Sequence, residues 1–291
     1  MIDVRAMTHL AIKELVANLK NWWIVIMGLL CALLSWTVGT YGFSFASGEL
    51  GQETVLVSLI HLQLYIVPLL GLLLAYDAIL GERDSGMFDL HLALGVGRFT
   101  FLAGKWIGLS ASLFIALMPS LLLQAVAFLA AGGTASSFVI LLVHCGLLCS
   151  AVISIGLFVS GWSLNRGTVV SLCIGSWLLL AVLIDFIVVS LLAATQGDVP
   201  DWLVNGLIIG NPLGSYRLLS YLHFFPEQVE ALLYARGTGW LAATFVMAVW
   251  IIGPLWATGY RLAKIYRPIE WQQQPGLSEP SVVGTPSGPA S

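Results

Sequence analysis

Six side chains in this 291-residue sequence are chemically conspicuous because each interrupts an apolar run: Asp77, Asp185, His61, His144, Cys145 and Cys149. His144, Cys145 and Cys149 bring an imidazole and two thiols onto one stretch, with the cysteines four residues apart and so on one helical face. Soft thiolates suit Cu(I), but a lone helix offers few ligands, and small residues at helix interfaces are routine. An aspartyl mechanism divides acid and base roles between two aspartates sharing a site. Asp77 has no such partner in the pattern: Thr195-Gln196-Gly197-Asp198 lacks the first glycine of G-x-G-D and falls at the far end of the apolar stretches. Gly161-Trp162-Ser163 lacks the second glycine and the paired histidine of a serine nucleophile. The phosphate-cradling loop is absent too, since Gly104-Lys105 has Phe99 in place of the first glycine and Trp106 in place of Ser or Thr. Asp185 stands apart. A charge inside a membrane span costs about 2.5–3.5 kcal/mol on insertion scales, so it must face protein or water. Two uses fit it: a gate or polar step on a pathway, or an interhelical hydrogen bond. His61 and His144 fit packed donors better than ligands.

The elements holding these residues are membrane helices. Hydrophobic residues make up 58% of the chain and charged ones 9%, with a mean hydropathy of +0.93. Soluble domains carry about 25% charge, so a soluble enzyme and a disordered chain are excluded. The net charge of −3 gives no case for nucleic acid. Four cysteines, Cys31, Cys145, Cys149 and Cys173, all lie in apolar runs, which argues against a disulfide framework. Runs of about 20 apolar residues recur at roughly 22–41, 55–80, 101–130, 137–163, 169–194 and 239–261. Of the 12 basic residues, all but Arg217 and Arg236 fall at one side of these spans. The positive-inside rule therefore predicts cytoplasmic termini. Residues 3–20 read as an interfacial amphipathic helix, with Val4, Met7, Ala11, Leu15 and Leu19 toward lipid and Arg5, His9 and Lys13 on another face. The outer segment 195–237 contains apolar pieces too short to span, predicted as short helices dipping into the outer interface beside Pro212 and Pro226. Beyond residue 269 the Pro, Gly, Ser and Gln content predicts disorder.

The most informative constellation lies between the second and third spans. Leu72-Leu-Leu-Ala-Tyr-Asp-Ala-Ile-Leu-Gly81 leads into Glu82-Arg83-Asp84-Ser85-Gly86, followed by Met87, Phe88, Leu90, Leu92 and Leu94. This spacing predicts a short helix with an apolar face available to a partner. Asp84 or Ser85 is expected to cap its start, and Gly95 and Gly97 to close its end. The same residues also fit a helix that simply rests in the interface.

With the N-terminal helix, six spans and a Glu82-x-x-x-Gly86 turn closed by Gly97-Arg98, residues 1–268 resemble the ABC-2 type permeases of ABC transporters. Leu72 to Glu82 and Asn211-Pro212-Leu-Gly-Ser-Tyr216-Arg217-Leu-Leu look most like the permease subunit of the nitrous-oxide-reductase maturation transporter. Met87 departs from the threonine usual after the turn glycine, and Gly95 from the usual proline. The resemblance implies an all-α, polytopic, type V exporter-like permease fold spanning 1–268, in the cytoplasmic membrane of a bacterium. It implies a homodimer served by two separate cytosolic ATPase subunits, which bind ATP and Mg, so this chain needs no cofactor and does no catalysis itself. Residues 82–98 would be the coupling turn, with Glu82, Arg83, Asp84, His91 and Arg98 as polar contacts and Met87, Phe88, Leu90 and Leu94 filling a groove on the ATPase. Asp77 and Asp185 would serve a pathway or gate, and Trp202, Asn211, Tyr216 and Arg217 would meet a periplasmic accessory protein. The process implied is copper or sulfur delivery to nitrous-oxide reductase. Alternatives are an ABC-2 exporter of another substrate, or an ion-coupled transporter using Asp185. The two halves show no inverted similarity, which counts against the latter.

Overall fold

The computed structural model describes residues 3–45, 49–130, 134–163, 165–225 and 239–265, which form helices without strands. The predicted tail from residue 269, together with Pro226, Glu227, Glu230, Arg236 and Arg267, lies outside the described residues. Six stretches among those described are long and apolar enough to cross a membrane: Trp22–Thr40, Leu56–Asp84, Arg98–Ala116, Ala135–Trp162, Arg166–Ala194 and Gly239–Lys264. The protein is a multi-pass, all-α membrane protein.

Helix α1 (Val4–Leu19) precedes α2 (Trp22–Phe45) and α3 (Glu49–Ala75). Asp3 caps α1 by accepting from the Arg5 and Ala6 amides, meeting donors that the first turn leaves free. The expected lipid face of α1 is only partly given to lipid. Val4 and Leu19 are exposed and Met7 and Leu15 half-buried, but Ala11, with Leu10 beside it, is buried against α6 (Arg98–Ala116). Gly104 and Gly108 make this docking possible, because a Cβ on either would lie within 3 Å of α1 atoms. Small residues one turn apart let backbones approach closely.

The third span is broken where one run over 101–130 was expected. Helix α6 ends at Ala116, and α7 (Met118–Ala130) resumes after Leu117. Pro119 has no N–H for the Ile115 carbonyl, and its ring crowds that carbonyl, which accounts for a break at this point. Helix α8 (Ala135–Trp162) is central, packing on α3, α6 and the later helices α12 (Pro212–Phe224) and α13 (Gly239–Ile265), with Leu148, Cys149, Val152 and Leu157 buried. The fifth span joins α9 (Arg166–Leu178), a π turn (Leu179–Leu183) and α10 (Ile184–Ala194).

Helices α11 (Asp201–Gly210) and α12 (Pro212–Phe224) follow, and α13 (Gly239–Ile265) is the sixth span. The short helices were expected to stay in the interface, yet they form a hairpin that enters the bundle. Asn211 Nδ2 at its tip donates to the Leu180 carbonyl at 2.6 Å, midway along the fifth span. Trp250, near the middle of α13, donates through Nε1 to the Gly210 carbonyl at 2.9 Å. The π turn shifts the backbone ladder to i→i+5 partners, and the Asn211 amide meets a carbonyl at that point. Gly214 is required for the fold-back, since a Cβ there would run into the Ile208 carbonyl.

Candidate functional site

The basic end of the bundle carries α1, α4 (Leu80–Asp84), α5 (Met87–Ala93) and the start of α6. Lys105 organises it. Its Nζ lies 2.7 Å from Glu14 of α1 and 2.8 Å from Glu82 of α4, while the side chain is 2% exposed. A buried ammonium is tolerated only when paired and hydrogen-bonded, and here two carboxylates meet it. Lys13 and His91 Nδ1 each approach Glu82 to 3.7 Å. The charged step after the second span is thereby tied to α1 and α6 together.

The α5 turn divides its apolar residues sharply. Phe88 is fully buried and meets Phe101 of α6 edge-on, at 5.0 Å between ring centroids and 76°. It is therefore part of the bundle core in this structure, not a side chain presented to a partner's groove as expected. Met87, Leu90 and Leu94 are exposed, Leu94 at 73%. Of the five apolar positions predicted to share a free face, these three are open, while Phe88 and the half-buried Leu92 are not. Neither Asp84 nor Ser85 caps α5. Its N-cap is Gly86, held at φ +73° without a side-chain bond, a backbone conformation that favours glycine. Ser85 Oγ instead donates to the Glu82 carbonyl at 3.3 Å, and Asp84 lies 3.7 Å from Arg166. Gly95, at φ +81°, closes the helix as expected, with Val96 N donating to the His91 carbonyl at 3.0 Å. Gly97 caps α6 instead. Arg83 Nη1 reaches the Ser163 carbonyl at 3.5 Å, and Arg98 Nε is buried without a hydrogen bond.

Asp77 and Asp185 are not brought together. Asp77 Oδ1 lies 3.3 Å from Arg166 Nε. Asp185 is engaged by Arg217 of α12, which donates Nη1 to Oδ2 at 2.8 Å and Nη2 to Oδ1 at 2.9 Å. This is the bidentate geometry that makes Arg–carboxylate pairs strong. Of the four residues expected at an outer contact, Trp202 is 74% exposed, while Asn211 and Tyr216 are buried and Arg217 is occupied by Asp185. The correction has one cause: the hairpin carries these side chains into the bundle. Tyr216 Oη donates to Gln63 Oε1 at 2.5 Å. Gln63 in turn donates to Gln124 at 2.6 Å, which donates to Ser35 and Ser120 at 3.1 Å. A polar chain thus joins α12, α3, α7 and α2.

His144 turns to Ser220 Oγ at 3.3 Å, while Cys145 and Cys149 are buried. Among the described residues no three His, Cys, Asp or Glu side chains gather as a metal-binding group. Sequence reasoning missed Glu14, Lys105, Gln63, Gln124 and the Gly104/Gly108 pair. The G-x-x-x-G spacing was a readable signal, as were the amides within the apolar spans, but neither names a partner.

Residues 8–264 match the family described as ABC-2 family transporter protein. The chain is 29% identical over 257 residues to a protein of Pseudomonas aeruginosa named "Probable ABC transporter permease protein NosY", covering 85% of this chain and 92% of the relative. A protein of the same name from Stutzerimonas stutzeri is 30% identical over 225 residues, covering 74% of this chain and 81% of the relative. With its all-helical fold, six spans and a match over most of its length, the chain belongs to the ABC-2 family of transporter permeases.

Proposed function

We propose that this permease subunit receives force from separate ATP-binding subunits at its basic end and transmits it to the opposite side of the membrane, serving copper or sulfur delivery for nitrous-oxide reductase maturation. The basic end faces the cytoplasm, both termini lie there, and the membrane is the bacterial inner membrane. The working unit is a homodimer of permeases with two ATPase subunits, which bind ATP and Mg, and an accessory protein outside. Basic-residue placement supports the orientation. One observation carries the coupling reading: Met87, Leu90 and Leu94 are exposed as a row on a turn whose root is locked by Lys105 between Glu14 and Glu82. A partner seated on that row pushes against α1 and α6, not against a loose loop.

The test is co-expression with the cognate ATPase. Met87→Ser, Leu90→Ser and Leu94→Ser combined should leave the permease folded while abolishing co-purification and ATPase stimulation. Unchanged assembly and stimulation would overturn the coupling role. The cargo is tested separately. Deleting the permease gene should leave nitrous-oxide reductase without its copper, and an intact, copper-loaded enzyme would leave an ABC-2 permease of another substrate.

A further inference from the structure

A cavity of about 610 Å³ lies under the elbow between α1 and α2, bounded also by α3 and α6. Small-molecule sites run from about 300 to 1,000 Å³. Its polarity is graded. Asn18, Asn21, Tyr76 and Asp77 stand at the basic end, and Met27, Leu74 and Leu113 line it further in. From Asn21 to Gly28 the α2 wall covers about 10 Å of helix. Trp23, 64% exposed, stands beside the opening, as tryptophans do at the membrane interface. Headgroup-like polarity at the interface followed by an apolar slot toward the bilayer centre is the polarity of a phospholipid.

Two atoms at the polar end specify the headgroup. Asn18 Nδ2 and Asp77 Oδ1 are both buried and make no hydrogen bond within the chain, one a donor and the other an acceptor. Glu14 is occupied by Lys105, so Asp77 is the carboxylate that faces the cavity with hydrogen-bonding capacity left, although Arg166 lies 3.3 Å away. Gly81 makes room for it: a Cβ there would lie 2.8 Å from Asp77 Oδ2. An anionic headgroup alone meets like charge at Asp77. A headgroup with an ammonium and a phosphate gives Asn18 Nδ2 an acceptor, and gives the Asp77 carboxylate, ion-paired on one side with Arg166, a hydrogen-bond donor.

We propose that this cavity binds a membrane aminophospholipid, its ammonium on Asp77, a phosphate or ester oxygen on Asn18 Nδ2, and an acyl chain along Met27, Leu74 and Leu113. Such a lipid props α1, whose Glu14 reaches the turn through Lys105, so the occupied site steadies the turn. The inference does not depend on the cargo or on the ATPase.

Delipidated full-length permease, titrated with vesicles of matched acyl chains, decides the matter. Retained lipid is read by native mass spectrometry. Phosphatidylethanolamine should be held roughly tenfold more tightly than phosphatidylcholine, which lacks N–H donors, or phosphatidylglycerol, the scale of one charge-assisted hydrogen bond. Asp77→Asn should erase the preference, and Leu74→Trp should expel all three lipids, with the fold checked by gel filtration. If a variant does not fold, the comparison of wild-type protein across the three headgroups still decides. Equal retention of the three lipids, preference for phosphatidylglycerol, or a preference that survives both folded variants overturns the proposal.

Discussion

Arg217 and Asp185 are joined by two parallel hydrogen bonds, 2.8 and 2.9 Å long, across 32 positions of sequence. The pair fastens the hairpin helix α12 to the fifth span and neutralises two charges at membrane depth. Asp185→Leu alone leaves the guanidinium unmatched, and is expected to lower stability by about 1.5–3 kcal/mol. Adding Arg217→Leu should restore much of the loss, because removing both partners is far milder than removing one. Thermal unfolding of the four proteins of the cycle measures the coupling, and additive effects would refute it.

Phe88 and Leu90, two positions apart, should respond in opposite ways. Phe88→Ala empties a site packed on Phe101 and is expected to cost about 3–5 kcal/mol of stability. Leu90→Ser changes an exposed side chain and should leave stability within about 0.5 kcal/mol while weakening ATPase association. Unfolding midpoints and pull-down yields separate the two. A Phe88 variant of normal stability contradicts the packing.

Lys105→Met leaves Glu14 and Glu82 facing each other without their shared cation. The expected loss is about 3–5 kcal/mol, seen first as faster amide exchange in α1. Because Lys105 is 2% exposed, the wild-type protection should change little between low and moderate salt. Strong salt dependence would count against a sheltered triad.

Asn211→Ala removes both the bond to the Leu180 carbonyl and the cap on the Leu213 amide. Loss of the cap alone is worth about 0.5–2 kcal/mol. Gly214→Ala attacks the same hairpin by placing a Cβ on the Ile208 carbonyl. Both variants should raise cysteine-labelling rates at positions introduced along α12, and unchanged labelling in both would argue against an inserted hairpin.

The six spans and the basic end were legible in the sequence because hydropathy over about 20 residues and the placement of a few charges are local properties. That the turn 82–98 carries a short helix rich in apolar residues was legible for the same reason, but which of Met87, Phe88, Leu90, Leu92 and Leu94 stay open was not. Periodicity does not say which neighbour a helix meets. Phe88 shares the turn with the exposed Met87, Leu90 and Leu94, yet Phe101 of α6 takes it into the core. Length says that α11 and α12 do not cross, but the depth of their hairpin depends on Asn211 finding the Leu180 carbonyl and on Gly214 fitting against Ile208. Asp185 was marked as a charge that needs a partner, and composition placed Arg217 outside the spans. Only the tertiary fold brings them together. Burial of a charge is a demand written in the sequence, whereas its satisfaction requires two distant segments to share one place.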